Sequence, residues 1–237
     1  MTERLQPTRR GVIGGLAGMT LAGGAAAVLS IPVMRRPLLD AASQWNDKVQ
    51  AALFQPDRLA PLYQETEITR PFRYNAFYPE AYAPKLDPDT WRLGVSGRVA
   101  RGTSFQLDDL RRMPQEAQVT RLICIEGWSA VGKWSGVRLG RLLDLVGGDA
   151  EARYVKFECA EGYTTSIDMA SARHPQTILA LDFLDQPLPR AFGAPLRLRI
   201  PTKLGFKNAK YITKIIVTND YPGGYWEDQG YNWFAGL

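Results

Sequence analysis

Arg121-Leu122-Ile123-Cys124-Ile125-Glu126-Gly127-Trp128-Ser129 reads as a strand that runs into a turn. Leu122, Ile123 and Ile125 supply apolar, β-prone bulk, and Gly127 punctuates the run. Cys124 then sits at the mouth of a strand, a rigid support of the kind a reactive side chain needs. A thiolate is a soft ligand and suits soft or high-valent metals. The chain has one other cysteine, Cys159, and one histidine, His174. A zinc site of four cysteines, or of two cysteines and two histidines, is therefore excluded. A metal on Cys124 would draw most of its other ligands from a cofactor. On the residues alone, the competing reading is a buried structural thiol, since free cysteine is among the most buried residue types.

Outward from this stretch the chain reads as many strands with a few short helices. Trp91–Val99, Arg153–Cys159, Leu196–Ile200 and Tyr211–Val217 alternate as strands should. Leu107–Met113 is a short helix. Ser135 is placed to cap a further helix through Leu139, Leu142, Leu143 and Val146, closed by Gly147-Gly148. Near the N-terminus, Leu38, Leu39, Ala42, Trp45, Val49, Ala52 and Leu53 fall near one helical face, and Pro56 ends that helix. Pro-rich, aromatic sequence follows to Pro88 and reads as extended chain. This pattern predicts an α+β, β-rich fold. The 237 residues suffice for one sizeable domain, and no boundary is evident within residues 60–237.

The net charge of +5 is concentrated at one end. Residues 1–36 hold five arginines against Glu3, so they carry +4 and the body carries +1. A near-neutral body leaves no electrostatic footprint for nucleic acid. Thr8-Arg9-Arg10-Gly11-Val12-Ile13 matches a twin-arginine export signal, with an apolar run behind it. That run, Val12 to Met34, is 23 residues long, enough to span a bilayer of roughly 30 Å. An exported, periplasmic protein is expected, either cleaved near Ala25-Ala26-Ala27 or kept on the membrane by an uncleaved anchor. The expected organisation is residues 1–36 as signal or anchor, 37–71 as helix and linker, and 72–237 as the functional domain.

Cys-x-Glu-x-Trp-Ser at Cys124–Ser129, followed by Trp134-Ser135-Gly136-Val137 and a Leu-rich helix, resembles the molybdopterin-binding domain of the sulfite oxidase superfamily. It is most similar to the bacterial branch that includes periplasmic protein-methionine-sulfoxide reductase catalytic subunits. The similarity runs from about Phe72 to the C-terminus. The resemblance implies a sulfite-oxidase-like fold and a molybdenum–molybdopterin cofactor with Cys124 as the metal ligand. It also implies two-electron oxygen-atom transfer, with electrons from a membrane haem-b subunit or a cytochrome. The twin-arginine route carries folded proteins, which suits a chain that takes up its cofactor in the cytoplasm.

The resemblance also assigns residues. Asn75 and Tyr78 match an Asn-x-x-Tyr that contacts the pterin. Arg197 matches a cofactor-contacting arginine, and Asn208, Ala209 and Lys210 fall in the segment that holds the cofactor phosphate. Lys203 and Lys207 flank the same turn around Gly205; read as bare sequence it is a solvated lysine loop. Glu126 would manage protons or hydrogen bonds near the metal, and the aromatic segment Gly230–Phe234 would close the pocket. Two pocket positions depart from the branch: Cys159 stands where it has threonine and Phe192 where it has asparagine. Phe192 is equally read as a packing residue.

Three rivals stay open. Two cysteines in an exported chain suggest a Cys124–Cys159 disulfide. A metal-free envelope binding protein on the same scaffold is a second. A sulfite-oxidising enzyme is a third, although the first cation after Cys124 is Lys133 and an S-oxide fits that loop better. A Cys–His hydrolase is disfavoured, because His174-Pro175 reads as a surface turn at a helix end.

Overall fold

The computed structural model describes residues 32–237 except Phe77, with side chains from Pro37 onward. The export motif and most of the apolar run lie outside the described residues. The chain divides into a unit ending at Asn46 and a unit from Asp47 to Leu237. The described part of the first unit belongs to the helix Pro32–Leu53. In it Leu38, Leu39 and Trp45 are exposed.

The second unit is built on two mixed or antiparallel sheets. One has the order β2-β1-β10-β5-β6, from Thr103–Phe105, Leu93–Gly97, Ile212–Thr218, Tyr154–Cys159 and Thr164–Asp168. Only β1 and β10 run parallel within it. The other is β3-β4-β7-β8, from Gln115–Ile123, Ser129–Arg138, Ile178–Phe183 and Gln186–Pro187, with β9 (Arg197–Arg199) also paired to β7. Leu93, Val95, Phe157, Ile215 and Val217 of the first sheet share one buried cluster with Val137, Leu179, Leu181 and Leu198 of the second. Alternation along each strand delivers these side chains to a common core. Segment 60–69 is sewn to β3 and β4: Tyr63 N–H donates to Val119 O at 3.0 Å and Thr69 N–H to Val131 O at 3.0 Å.

The four strands expected from alternation form: three are trimmed by one to four residues, and the last is shifted by one, to Ile212–Thr218. Ser135, however, caps no helix. It lies inside β4, opposite Ala117 on β3 and Asp182 on β7. With a partner strand on each side, the backbone there is committed to the sheet. Arg138 takes the cap position of the helix Leu139–Leu145, whose Leu139 N–H donates to Thr177 O at 3.0 Å. Gly147-Gly148 does close that helix: Gly147 has φ +62° and Gly148 N–H donates to Leu143 O at 2.7 Å.

At the β4–β7 register shift beside Ser135, Gly136 lets the two backbones touch. A Cβ there would lie 1.9 Å from the Leu179 carbonyl oxygen and 2.7 Å from Ala180 Cα. Gly136→Ala is therefore expected to push β4 off β7 and to destabilise the protein by about 1–3 kcal/mol, read as a lower denaturant midpoint.

Candidate active site

Beyond Ile123 the chain turns tightly. Gly127 N–H donates to Cys124 O at 3.1 Å, Cys124 N–H donates to Trp128 O at 2.9 Å, and Gly127 has φ +87°. The turn holds Cys124 buried at the wall of a cavity of about 220 Å³. Burial pushes the thiol pKa up, and the nearby Glu126 amide opposes it. A cationic partner would be needed to favour the thiolate. Glu126 lines the same cavity and accepts from Trp128 Nε1 at 2.8 Å. The Arg73 guanidinium sits 4.8 Å from the Trp128 ring centre. Lys133, the first cation along the chain, is held by Glu65 and Asp185 at 2.6 and 2.7 Å.

Facing the cysteine is the 3-10 turn Gly205–Lys207. A Cβ on Gly205 would lie 3.2 Å from Ile123 O and 3.5 Å from Cys124 Cα, so this turn packs directly on the cysteine strand. Asn208, Ala209 and Lys210 follow it along the cavity wall. The Asn208 side chain is committed to the scaffold: its Oδ1 accepts from Arg199 Nη1 at 2.8 Å and from Ile200 N–H at 3.0 Å. Lys210 Nζ donates to Asn75 O at 2.8 Å and Ala191 O at 3.2 Å. Burial pulls the Lys210 pKa down to about 7, and Arg197 adds to the effect.

Seven of the expected residues thus meet in one cavity: Asn75, Tyr78, Cys124, Glu126, Asn208, Ala209 and Lys210. Three do not line it. Arg197 is buried behind the wall, with Nη1 donating to Phe192 O at 3.0 Å and its guanidinium 4.7 Å from the Trp134 ring centre. It acts on the cavity through the Asn208 backbone, which its Nη2 approaches at 3.4 Å. Phe192 packs on Phe72 and Phe183, at 5.4 and 5.0 Å between ring centres. Cys159 is buried at the end of β5, where burial and then Glu161 push its thiol well up. Both cysteines are free thiols.

Other expectations need correcting. Lys203 and Lys207 are no solvated loop: both are buried and turned to carboxylates far along the chain. Lys203 pairs with Asp168 at 3.2 Å, and Lys207 pairs with Glu227. His174 is buried, not a surface residue. Its Nε2 lies 3.0 Å from Arg58 O, and Nδ1 accepts from Gln176 N–H at 3.2 Å. Of the C-terminal aromatics, Tyr231 reaches the cavity, joined by Trp226, while Trp233 donates to Ser166 Oγ at 2.8 Å and lies outside the lining.

One residue escaped sequence reasoning. Glu161, on the β5–β6 turn, lines the cavity together with Lys210, and its buried Oε2 has no hydrogen-bond partner. Burial raises its pKa to about 7, with Lys210 opposing. Its only signal was a lone carboxylate beside Gly162 in a strand-to-strand turn. Among the described residues, no group of three His, Cys, Asp or Glu side chains is arranged to hold a metal ion.

A cavity with a single sulfur, two asparagines and one half-buried lysine suits a site that takes its redox centre from a cofactor. The oxidoreductase molybdopterin binding domain family matches residues 80–226, more than half of the chain, and the chain belongs to that family. It is 56% identical to a putative protein-methionine-sulfoxide reductase subunit, YedZ1, of Azospira oryzae, over 83% of this chain and 75% of that one. It is 34% identical to the protein-methionine-sulfoxide reductase catalytic subunit MsrP of Ralstonia nicotianae, over 70% of this chain and 59% of the relative. The fold is similar to the crystal structure of the sulfane dehydrogenase SoxCD from Paracoccus pantotrophus. That match has a TM-score of 0.55 and 22% identity, and it covers 58% of this chain and 40% of the other. The protein is a molybdopterin-binding oxidoreductase with a β-rich α+β fold.

Proposed function

We propose that the protein is a periplasmic S-oxide reductase whose molybdenum is bound by Cys124 and by the dithiolene of one molybdopterin. The observation that carries this reading is that Cys124 lines one cavity together with Gly205, Asn208, Ala209 and Lys210. The donor set fits the cofactor. Lys210 and the backbone around Asn208 and Ala209 suit an anionic phosphate. The unpartnered Glu161 Oε2 suits the N–H groups of a pterin ring. Asn75 and Tyr78 complete that wall. When bound, the cofactor supplies two-electron oxygen-atom transfer.

The residues around Cys124 favour a neutral substrate. Lys133 is engaged by two carboxylates, and Glu126 brings a carboxylate to the cavity. An S-oxide meets less repulsion there than sulfite does, and both curated relatives carry methionine-sulfoxide reductase names. Glu126, exposed at the cavity wall and held by Trp128, could deliver a proton there. Electrons would come from a partner subunit, a membrane haem-b protein or a cytochrome, and export would follow the twin-arginine route.

The test is elemental and pterin analysis of protein expressed with its N-terminal segment, followed by paired assays. About one molybdenum per chain, with reduction of a dialkyl sulfoxide and no oxidation of sulfite, is expected. Metal-free material, or sulfite oxidation as the faster reaction, overturns the assignment.

A further inference from the structure

Arg121 and Ile123 alternate with the buried Leu122 on β3 and line a second concavity. Leu53, Arg58, Leu59 and Leu237 are among the other residues that line this groove of about 620 Å³. Its leucines stand out into solvent: Leu53 is 74% exposed, Leu59 53% and Leu237 57%. Leu62, on the segment bridged to β3 at Thr120, is 62% exposed. Protruding apolar side chains gathered in one place mark an interaction surface.

The side-chain charge of the groove is of one sign. Arg58 and Arg121 are exposed, and among the described residues neither enters an ion pair. No Asp or Glu side chain is among the residues lining the groove; Asp57, beside Arg58 in the chain, stays outside the lining. The Arg121 guanidinium lies 5.8 Å from the Tyr63 ring centre, which orients it without neutralising it.

We propose that this groove docks on an anionic phospholipid surface, with the leucines in the acyl boundary and the two arginines on lipid phosphates. Apolar side chains flanked by cations have the composition that partitions into an anionic interface. The apolar run Val12–Met34 leads into the helix Pro32–Leu53, and the last residue of that helix is a groove leucine. The inference does not depend on the chemistry of the cofactor cavity.

Hydrogen exchange of the full chain, read at the amides of residues 53–63, tests it. Phosphatidylcholine vesicles are compared with vesicles containing one-third phosphatidylglycerol. Exchange should slow in the anionic vesicles and much less in the zwitterionic ones. Arg58→Gln and Arg121→Gln should each lower that protection about fivefold. Both side chains are exposed, so the thermal midpoint should be unchanged. No slowing, equal slowing in both vesicles, or full slowing in the double variant overturns the proposal. Slowing that appears without lipid as protein concentration rises also overturns it, because a second copy would then fill the groove.

Discussion

Cys124→Ser should purify folded but without retained molybdenum, and with activity lost. Serine replaces sulfur with oxygen at nearly constant volume, so the turn closed by Gly127 N–H and Trp128 O should persist. What changes is the donor: a soft thiolate becomes a hard, weakly acidic hydroxyl. Loss of residues that only support a metal ligand costs about 10–100-fold in affinity or activity. Loss of the ligand itself should cost more than about 100-fold. Metal content, pterin content and thermal midpoint are measured on the same preparation. An intact midpoint with absent metal supports ligation by Cys124. A variant with full activity and one molybdenum per chain removes Cys124 from the metal. Cys159→Ser is the control, since Cys159 lies outside the cavity lining, and it should leave metal content unchanged.

The second large effect is structural. Lys207 and Glu227 form an ion pair with both side chains fully buried. Thr165 Oγ1 donates to Glu227 Oε1 at 2.6 Å, and Lys207 Nζ donates to Ser166 O at 2.9 Å. Glu227→Ala leaves a buried ammonium without its counter-charge, which costs about 3–5 kcal/mol. For a chain of this size that lowers the thermal midpoint by about 6–20 °C. Replacing both partners, as Lys207→Met with Glu227→Leu, should recover most of the loss, because two apolar groups need no pairing. The single variant should also weaken cofactor retention. Trp226 and Tyr231 flank Glu227 in the same turn and form part of the cavity wall. A midpoint within about 1 °C of the parent would show that the pair holds nothing in place.

Much of the fold could be read from local pattern. β1, β5, β9 and β10 were visible from their alternation, and the end of β3 from the apolar residues leading to Cys124. β4 was misread because the Ser135-Gly136 bulge interrupts its alternation, and a serine before a Leu-rich run imitates a helix start. β7 was missed because Ile178–Phe183 is nearly all buried and shows no period. The site divides the same way. Cys124 stood out through its own motif, whereas Asn75, Tyr78 and Lys210 drew meaning only from a family resemblance. Lys203 and Lys207 looked like surface lysines because their partners, Asp168 and Glu227, come from other elements. Burial of this kind is a property of the assembled sheets and leaves no local trace. Glu161 was silent for the same reason: only the folded cavity brings it to the same wall lining as Lys210.

The contact of Gly205 with Ile123 O and Cys124 Cα has a mechanical consequence. The segment proposed to grip one end of the cofactor rests, with no methyl group between, on the segment proposed to grip the other. The span between the two grips is therefore gauged by the absence of a single carbon atom, and the protein can present a fixed socket before anything has been loaded into it.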